Sequence, residues 1–136
     1  MARVLTNLSL SEAVDAAVAR LVSVRHADGV SHVHLPIFYP SGAAVAVSVE
    51  RVGDGYLVTD EGFAFREVEM VGAEDLFAQE ATYVAGAAGL GTESRLVTVV
   101  ADIESLTSAI ADVAAASARI AHDIVETVEA ADTTAP

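Results

Sequence analysis

The stretch Gly42–Gly62, GAAVAVSVERVGDGYLVTDEG, constrains the fold of this chain more than any other. Within Ala43–Arg51, Val45, Val47 and Val49 alternate with Ala44, Ala46 and Ser48, the period of two of a β-strand. Gly53-Asp54-Gly55 follows, and Asp-Gly accepts the positive φ angles of a tight hairpin. Tyr56–Thr59 reads as the returning strand. Thr59-Asp60-Glu61-Gly62 breaks it before a helical pattern, with Asp60 placed to cap the helix and Gly62 to permit the turn. The small residues Ala44, Ala46 and Ser48 form a face on which a helix could pack closely.

The flanking segments extend this unit on both sides. Upstream, Val30–Tyr39 reads as a strand with Val33, Leu35 and Ile37 on one face and His32, His34 and Phe38 on the other. Pro36 lacks a backbone donor, which predicts an edge strand or a bulge. Ser9 and Glu12 fit a capping box, and Val14, Ala17, Val18, Leu21 and Val22 recur at helical spacing, so a helix is predicted over about residues 10–27 with Gly29 as its stop. Downstream, a short helical segment after Gly62 ends at Gly72, Ala73–Ala88 reads as a second helix, and Arg95–Ala101 as a fourth short strand.

Asp102–Val128 is the longest regular element, with Ile103, Leu106, Ile110, Val113, Ser117, Ile120 and Ile124 spaced alternately by three and four. A helix of about 26 residues spans roughly 39 Å, more than a small sheet covers, so part of it should meet the N-terminal helix or a second subunit. Intramolecular packing is the first reading. A homodimer through this helix is the second, and on that reading Ile110, Val113, Ile120 and Ile124 are the partner-binding residues. The expected fold is a single α+β domain over residues 1–129. It has a small antiparallel sheet of three to four strands packed by helices, a long C-terminal helix and a disordered tail over residues 130–136.

Composition excludes several classes of function. With no cysteine there is no disulfide framework, thiolate catalysis or Cys-ligated zinc, which fits a reducing cytoplasm. The net charge of −13 arises from 20 acidic residues against 7 basic ones, all Arg. That balance argues against direct nucleic-acid binding, which needs basic side chains at the phosphates, and allows a basic host protein as partner. The N-terminal MARVLTNLSLSEA lacks an apolar core and cleavage site of a signal peptide, and no apolar run reaches the roughly 20 residues needed to span a bilayer. A soluble cytoplasmic protein without membrane contact is expected.

His32-x-His34 is the sharpest chemical candidate, because i and i+2 on a strand share a face and two imidazoles can bind a metal. A third ligand would have to come from Asp60, Glu61 or His26; without one, the pair is a solvated polar face. Asp60 and Glu61 point to opposite sides of an extended strand and make a poor acid–base pair. There is no G-x-S-x-G elbow, HExxH, EF-hand, dinucleotide or P-loop pattern, and Gly53-Asp54-Gly55 lacks any neighbouring Lys. Tyr39, Tyr56 and Tyr83 are too dispersed for a base-stacking platform. No catalytic residue and no cofactor are expected.

The succession P-x-x-x-P-S-G at Pro36–Gly42, the Val-rich Val45–Val49, and Gly55-Tyr56-Leu57-Val58-Thr59-Asp60-Glu61-Gly62 entering a helix resembles the DUF1828 family. These are domains of unknown function found in bacteria and their phages or mobile elements. The resemblance covers about residues 30–128 and is most specific at Thr59–Gly62. It implies a compact α+β domain in a phage- or defence-related setting and supplies no catalytic residues. Three functions follow as expectations. The first is a non-enzymatic protein-binding module, phage- or mobile-element-associated. The second is an acidic inhibitor of a host defence nuclease acting by nucleic-acid mimicry. The third is a metal-dependent enzyme using His32, His34 and Asp60.

Overall fold

The computed structural model describes residues 8–134; the leader reading of residues 1–7 and the tail reading at residues 135–136 lie outside them. Two-residue turns build three hairpins. Asp28 and Gly29, at φ 53° and 78°, join β1 (Ser23–Ala27) to β2 (Val30–Phe38), the double positive φ of a type I′ turn. Gly53-Asp54 joins β3 (Ala44–Val52) to β4 (Gly55–Thr59), with the positive φ of 58° on Gly53. Ser94 and Arg95, at φ 51° and 68°, join β5 (Gly91–Glu93) to β6 (Leu96–Ala101). Gly55 lies in the strand rather than the turn, and a Cβ there would stand 3.1 Å from both the Ala101 carbonyl oxygen and Val100 Cγ1.

The sheet is antiparallel throughout, in the order β1-β2-β3-β4-β6-β5. It has six strands where the sequence predicted three to four. One of the two added strands replaces the end of the expected N-terminal helix. That helix, α1 (Leu10–Val18), stops well before residue 27, and Ser23–Ala27 pairs with β2 instead. The Ser9–Glu12 capping box is present as expected. The irregularity foreseen at Pro36 appears as a register shift between His34 and Phe38 in the β2–β3 ladder. There His122 Nε2 donates to the Phe38 carbonyl at 2.8 Å, giving a partner to an acceptor beside the irregular segment.

Three helices cover one face of the sheet: α2 (Phe63–Met70), α3 (Glu74–Ala87) and α4 (Leu106–Thr134). They pack on the Val face. Val33, Val45, Val47, Val58 and Val97 are buried, and the face of Ala44 and Ala46 that was expected to receive a helix does not. The bulkier apolar residues offer more area to remove from water, which outweighs the closer approach that Ala permits. At about 44 Å, α4 outruns the sheet, and the excess packs on α2 and α3 rather than on the N-terminal helix. It continues through residues 130–134, where a disordered tail was expected. Among the described residues, no helix is long and apolar enough to cross a membrane.

Candidate functional site

Asp60 follows the last residue of β4, and its side chain is fully buried on the helix side of the sheet. Its carboxylate accepts four hydrogen bonds. Oδ1 takes the backbone N–H groups of Gly62 and Val97, both at 2.9 Å, and Oδ2 takes the Ala64 N–H at 3.3 Å and the Ser117 hydroxyl at 2.7 Å. The N-cap of α2 is Gly62, without a side-chain cap bond, where Asp60 was expected; Asp60, two residues earlier, instead reaches the Ala64 N–H in the first turn and also ties β6 and α4 to β4. Ser117 spends its one hydrogen on Asp60, so the Tyr39 hydroxyl, 2.7 Å from Ser117 Oγ, is the donor of that second bond. A buried chain Tyr39→Ser117→Asp60 results. Every buried side-chain nitrogen and oxygen among the described residues has a partner.

A neighbouring buried acid, Glu67 on α2, holds the β2–β3 turn. It accepts the Ser41 backbone N–H at 3.1 Å and the Ser41 hydroxyl at 2.6 Å. The two acids explain the sequence pattern at Pro-Ser-Gly and Thr-Asp-Glu-Gly as structural ties. Sequence reasoning passed over Ser117 and Glu67. The signal available for Ser117 was one hydroxyl set among the Ile, Leu and Val of an otherwise apolar seam.

Burial raises the Tyr39 phenol well above its usual range, with the charges of Asp60 and Glu67 adding to the effect and the Ser117 hydrogen bond opposing it. The unfolded chain then releases this proton at lower pH than the folded one, so stability falls as pH rises above the ordinary phenol range near 10. A Tyr39→Phe variant is expected to lose about 1–2 kcal/mol at pH 7 and to show a shallower stability loss above pH 10 than the parent. Urea denaturation at a series of alkaline pH values measures both effects.

His32 and His34 point to the sheet face that carries no helix, opposite Ser48 and Ala46 of β3. Their candidate third ligands divide. Glu61 approaches, with Oε1 3.7 Å from His32 Nδ1. Asp60 is on the other side of the sheet with both oxygens engaged, and His26 is bonded through Nδ1 to Ser31 Oγ at 2.6 Å, one residue out of phase with His32. The structure therefore does not bring His32, His34 and Asp60 together, and no group of three His, Cys, Asp or Glu among the described residues is arranged to hold a metal.

The seam residues are likewise redistributed. Val113, Ile120 and Ile124 are buried in the chain's own core, not presented to a partner. Ile110 alone of the four is half-exposed. It lines a cleft of about 380 Å³ with Leu106, Val33 and Val49, bounded at the sheet edge by Val24 and His26 of β1. Arg51 and Tyr56 close one end, with the guanidinium 5.6 Å from the ring centroid. The cleft exists because α4 covers the middle strands and leaves the helix-side face of β1 bare: all five residues of β1 are exposed.

The helix α1, none of whose residues lines the cleft, buries none of its residues. Leu10, Val14 and Val18 are 82%, 48% and 55% exposed, and Leu21 and Val22 after the helix are exposed too. These residues form the amphipathic pattern read from sequence, without the packing surface that such a pattern ordinarily covers. Elsewhere, partial burial raises the Glu80 carboxyl above its ordinary value, helped by the hydrogen bond and charge of Asp123 and opposed by Arg119. Asp102 is lowered by hydrogen bonds from the Ser105 hydroxyl and backbone N–H at the entry to α4.

Comparison with models of protein families, with curated proteins and with solved structures gives no match to this chain.

Proposed function

We propose that this chain is a non-enzymatic protein-binding module. Two observations carry the reading together: the exposed apolar stripe of α1, and an apolar cleft between β1 and the start of α4. An apolar helix face in water lowers stability and solubility unless something covers it, and helix-in-groove docking is a common way to do so. The polar groups buried in the molecule support the reading from the other side, since Asp60, Ser117, Tyr39 and Glu67 are consumed in structural bonds. A phage or mobile-element setting rests on the DUF1828 resemblance at Pro36–Gly62 alone.

The test uses the full chain and a Val14→Glu variant as baits. A protein captured by the parent is identified, purified and titrated against both by calorimetry. The reading requires a saturable complex that the variant weakens by about tenfold or more, the cost of losing one buried valine contact. Equal binding by both baits, or no saturable complex with any protein including the chain itself, overturns it.

Charge favours mimicry of nucleic acid as a second reading. Half of the 20 acidic residues lie on the helix layer. They are Glu67 and Glu69 on α2, Glu74, Asp75 and Glu80 on α3, and Asp112, Asp123, Glu126, Glu129 and Asp132 on α4, against Arg66 and Arg119; of these Glu67 is buried on Ser41 and does not face a partner. The strands carry Glu50 and Glu93 against Arg25 and Arg51. An inhibitor working through this layer would bind a basic nuclease with an affinity falling steeply between about 50 and 200 mM salt. A salt-independent affinity excludes it.

A further inference from the structure

We infer that the cleft between β1 and α4 receives the α1 helix of a second copy of this chain, so that two chains exchange their N-terminal helices about a two-fold axis. The inference rests on the protein-binding reading above and names the partner for that same site.

Self-complementarity is the first argument. A two-fold interface needs each chain to carry both halves of the contact, and this chain carries an unburied apolar helix and an unfilled apolar cleft. A nine-residue helix is only about 14 Å long and covers little area by itself. Exchange makes the contact twice, whereas an unrelated partner docking on the cleft would make it once, and specific interfaces need roughly 800 Å² on each side.

Charge supplies the second argument. Two copies at −13 each repel, so they can approach closely only where the charge is low. The acidic helix layer is excluded on that ground, while the strands bear equal numbers of Arg and carboxylate residues. One ion pair is available locally. At 100° per residue, Asp15 falls beside Val18 on the border of the apolar stripe, and the helix carries Glu12 and Asp15 with no basic residue. The cleft is lined by one Arg, Arg51, and one carboxylate, Glu50, so its own charge is balanced and Arg51 is the group that can take an acid. Asp15 of one copy facing Arg51 of the other fixes the direction in which the helix lies.

The deciding measurement is the mass of the full-length protein by sedimentation velocity from about 1 to 200 µM at 0.15 M salt. The expected result is twice the chain mass of 14.0 kDa. Val14→Glu and the single charge reversals Asp15→Arg and Arg51→Glu should each raise the dimer dissociation constant by about tenfold or more. The double reversal Asp15→Arg with Arg51→Glu should restore at least part of the loss. Circular dichroism melts run alongside verify that each variant is folded, and Val14, being exposed, tests the contact without touching the core. A monomer throughout the range overturns the exchange, as does a dimer that Val14→Glu leaves intact. A monomer that still binds another protein through Val14 overturns the exchange alone and leaves the binding-module reading standing.

Discussion

Replacing Asp60 by Ala is expected to destabilise the protein by about 3–5 kcal/mol, a drop in Tm of roughly 10–20 °C for a domain of this size. The substitution removes one acceptor group and strands four donors: the N–H groups of Gly62, Ala64 and Val97 and the Ser117 hydroxyl. Three of these, at Ala64, Val97 and Ser117, cannot turn to water because their bonds are buried, while the Gly62 N–H is partly covered. The cost of unmade bonds therefore exceeds the small net value of bonds made. Asp60→Asn separates shape from chemistry. It keeps the volume and one acceptor oxygen but points an amide NH₂ at donors, and should cost about 2–3 kcal/mol. Urea denaturation with both variants measures the two steps. An Asn variant within about 0.5 kcal/mol of the parent would show that the four-donor arrangement contributes little, and would reopen a role for this carboxylate in chemistry.

The central hairpin was legible in the sequence because its signals are local. Alternating Val residues in β3, a Gly-Asp-Gly turn and an Asp at the helix entry each act within a few residues, and all three appear, with Gly53 rather than the Asp-Gly pair taking the positive φ and Gly62 rather than Asp60 as the N-cap. The two missed strands were lost for different reasons. Asp28-Gly29 is as strong a hairpin signal as the central turn, but the helical spacing of Val14, Val18, Leu21 and Val22 ran up to it and made it look like a helix stop. Once the helix ends at Val18, the exposed SVRHA segment pairs with β2 and gains a ladder of backbone hydrogen bonds. Ser94-Arg95 carries no turn signature at all, and three-residue β5 is too short to show a period. The burial of Asp60 was beyond the sequence, because it depends on Ser117, 57 positions away, arriving on α4.

Ile120→Ala tests which of the two readings of the α4 seam is right, and its expected effect is a loss of about 2–5 kcal/mol in folding stability with no direct effect on association. Ile120 is the largest of the fully buried side chains, enclosed with Val113 and Ile124 in the core that joins α4 to the sheet and to α2 and α3. Truncation leaves a cavity of several methyl groups that a sheet on one side and helices on the other cannot collapse to fill. Ile110→Ala, about three turns earlier on the same seam, should cost less in stability because its side chain is already half-exposed at the cleft. If self-association through that cleft occurs, the Ile110 change weakens it while the Ile120 change does not, once the comparison is made below the melting temperature of both. The period of three and four in the sequence is blind to this difference. It marks every residue on one side of a helix, and only the width of the sheet beneath decides which of them are covered and which stand at the edge of an open cleft.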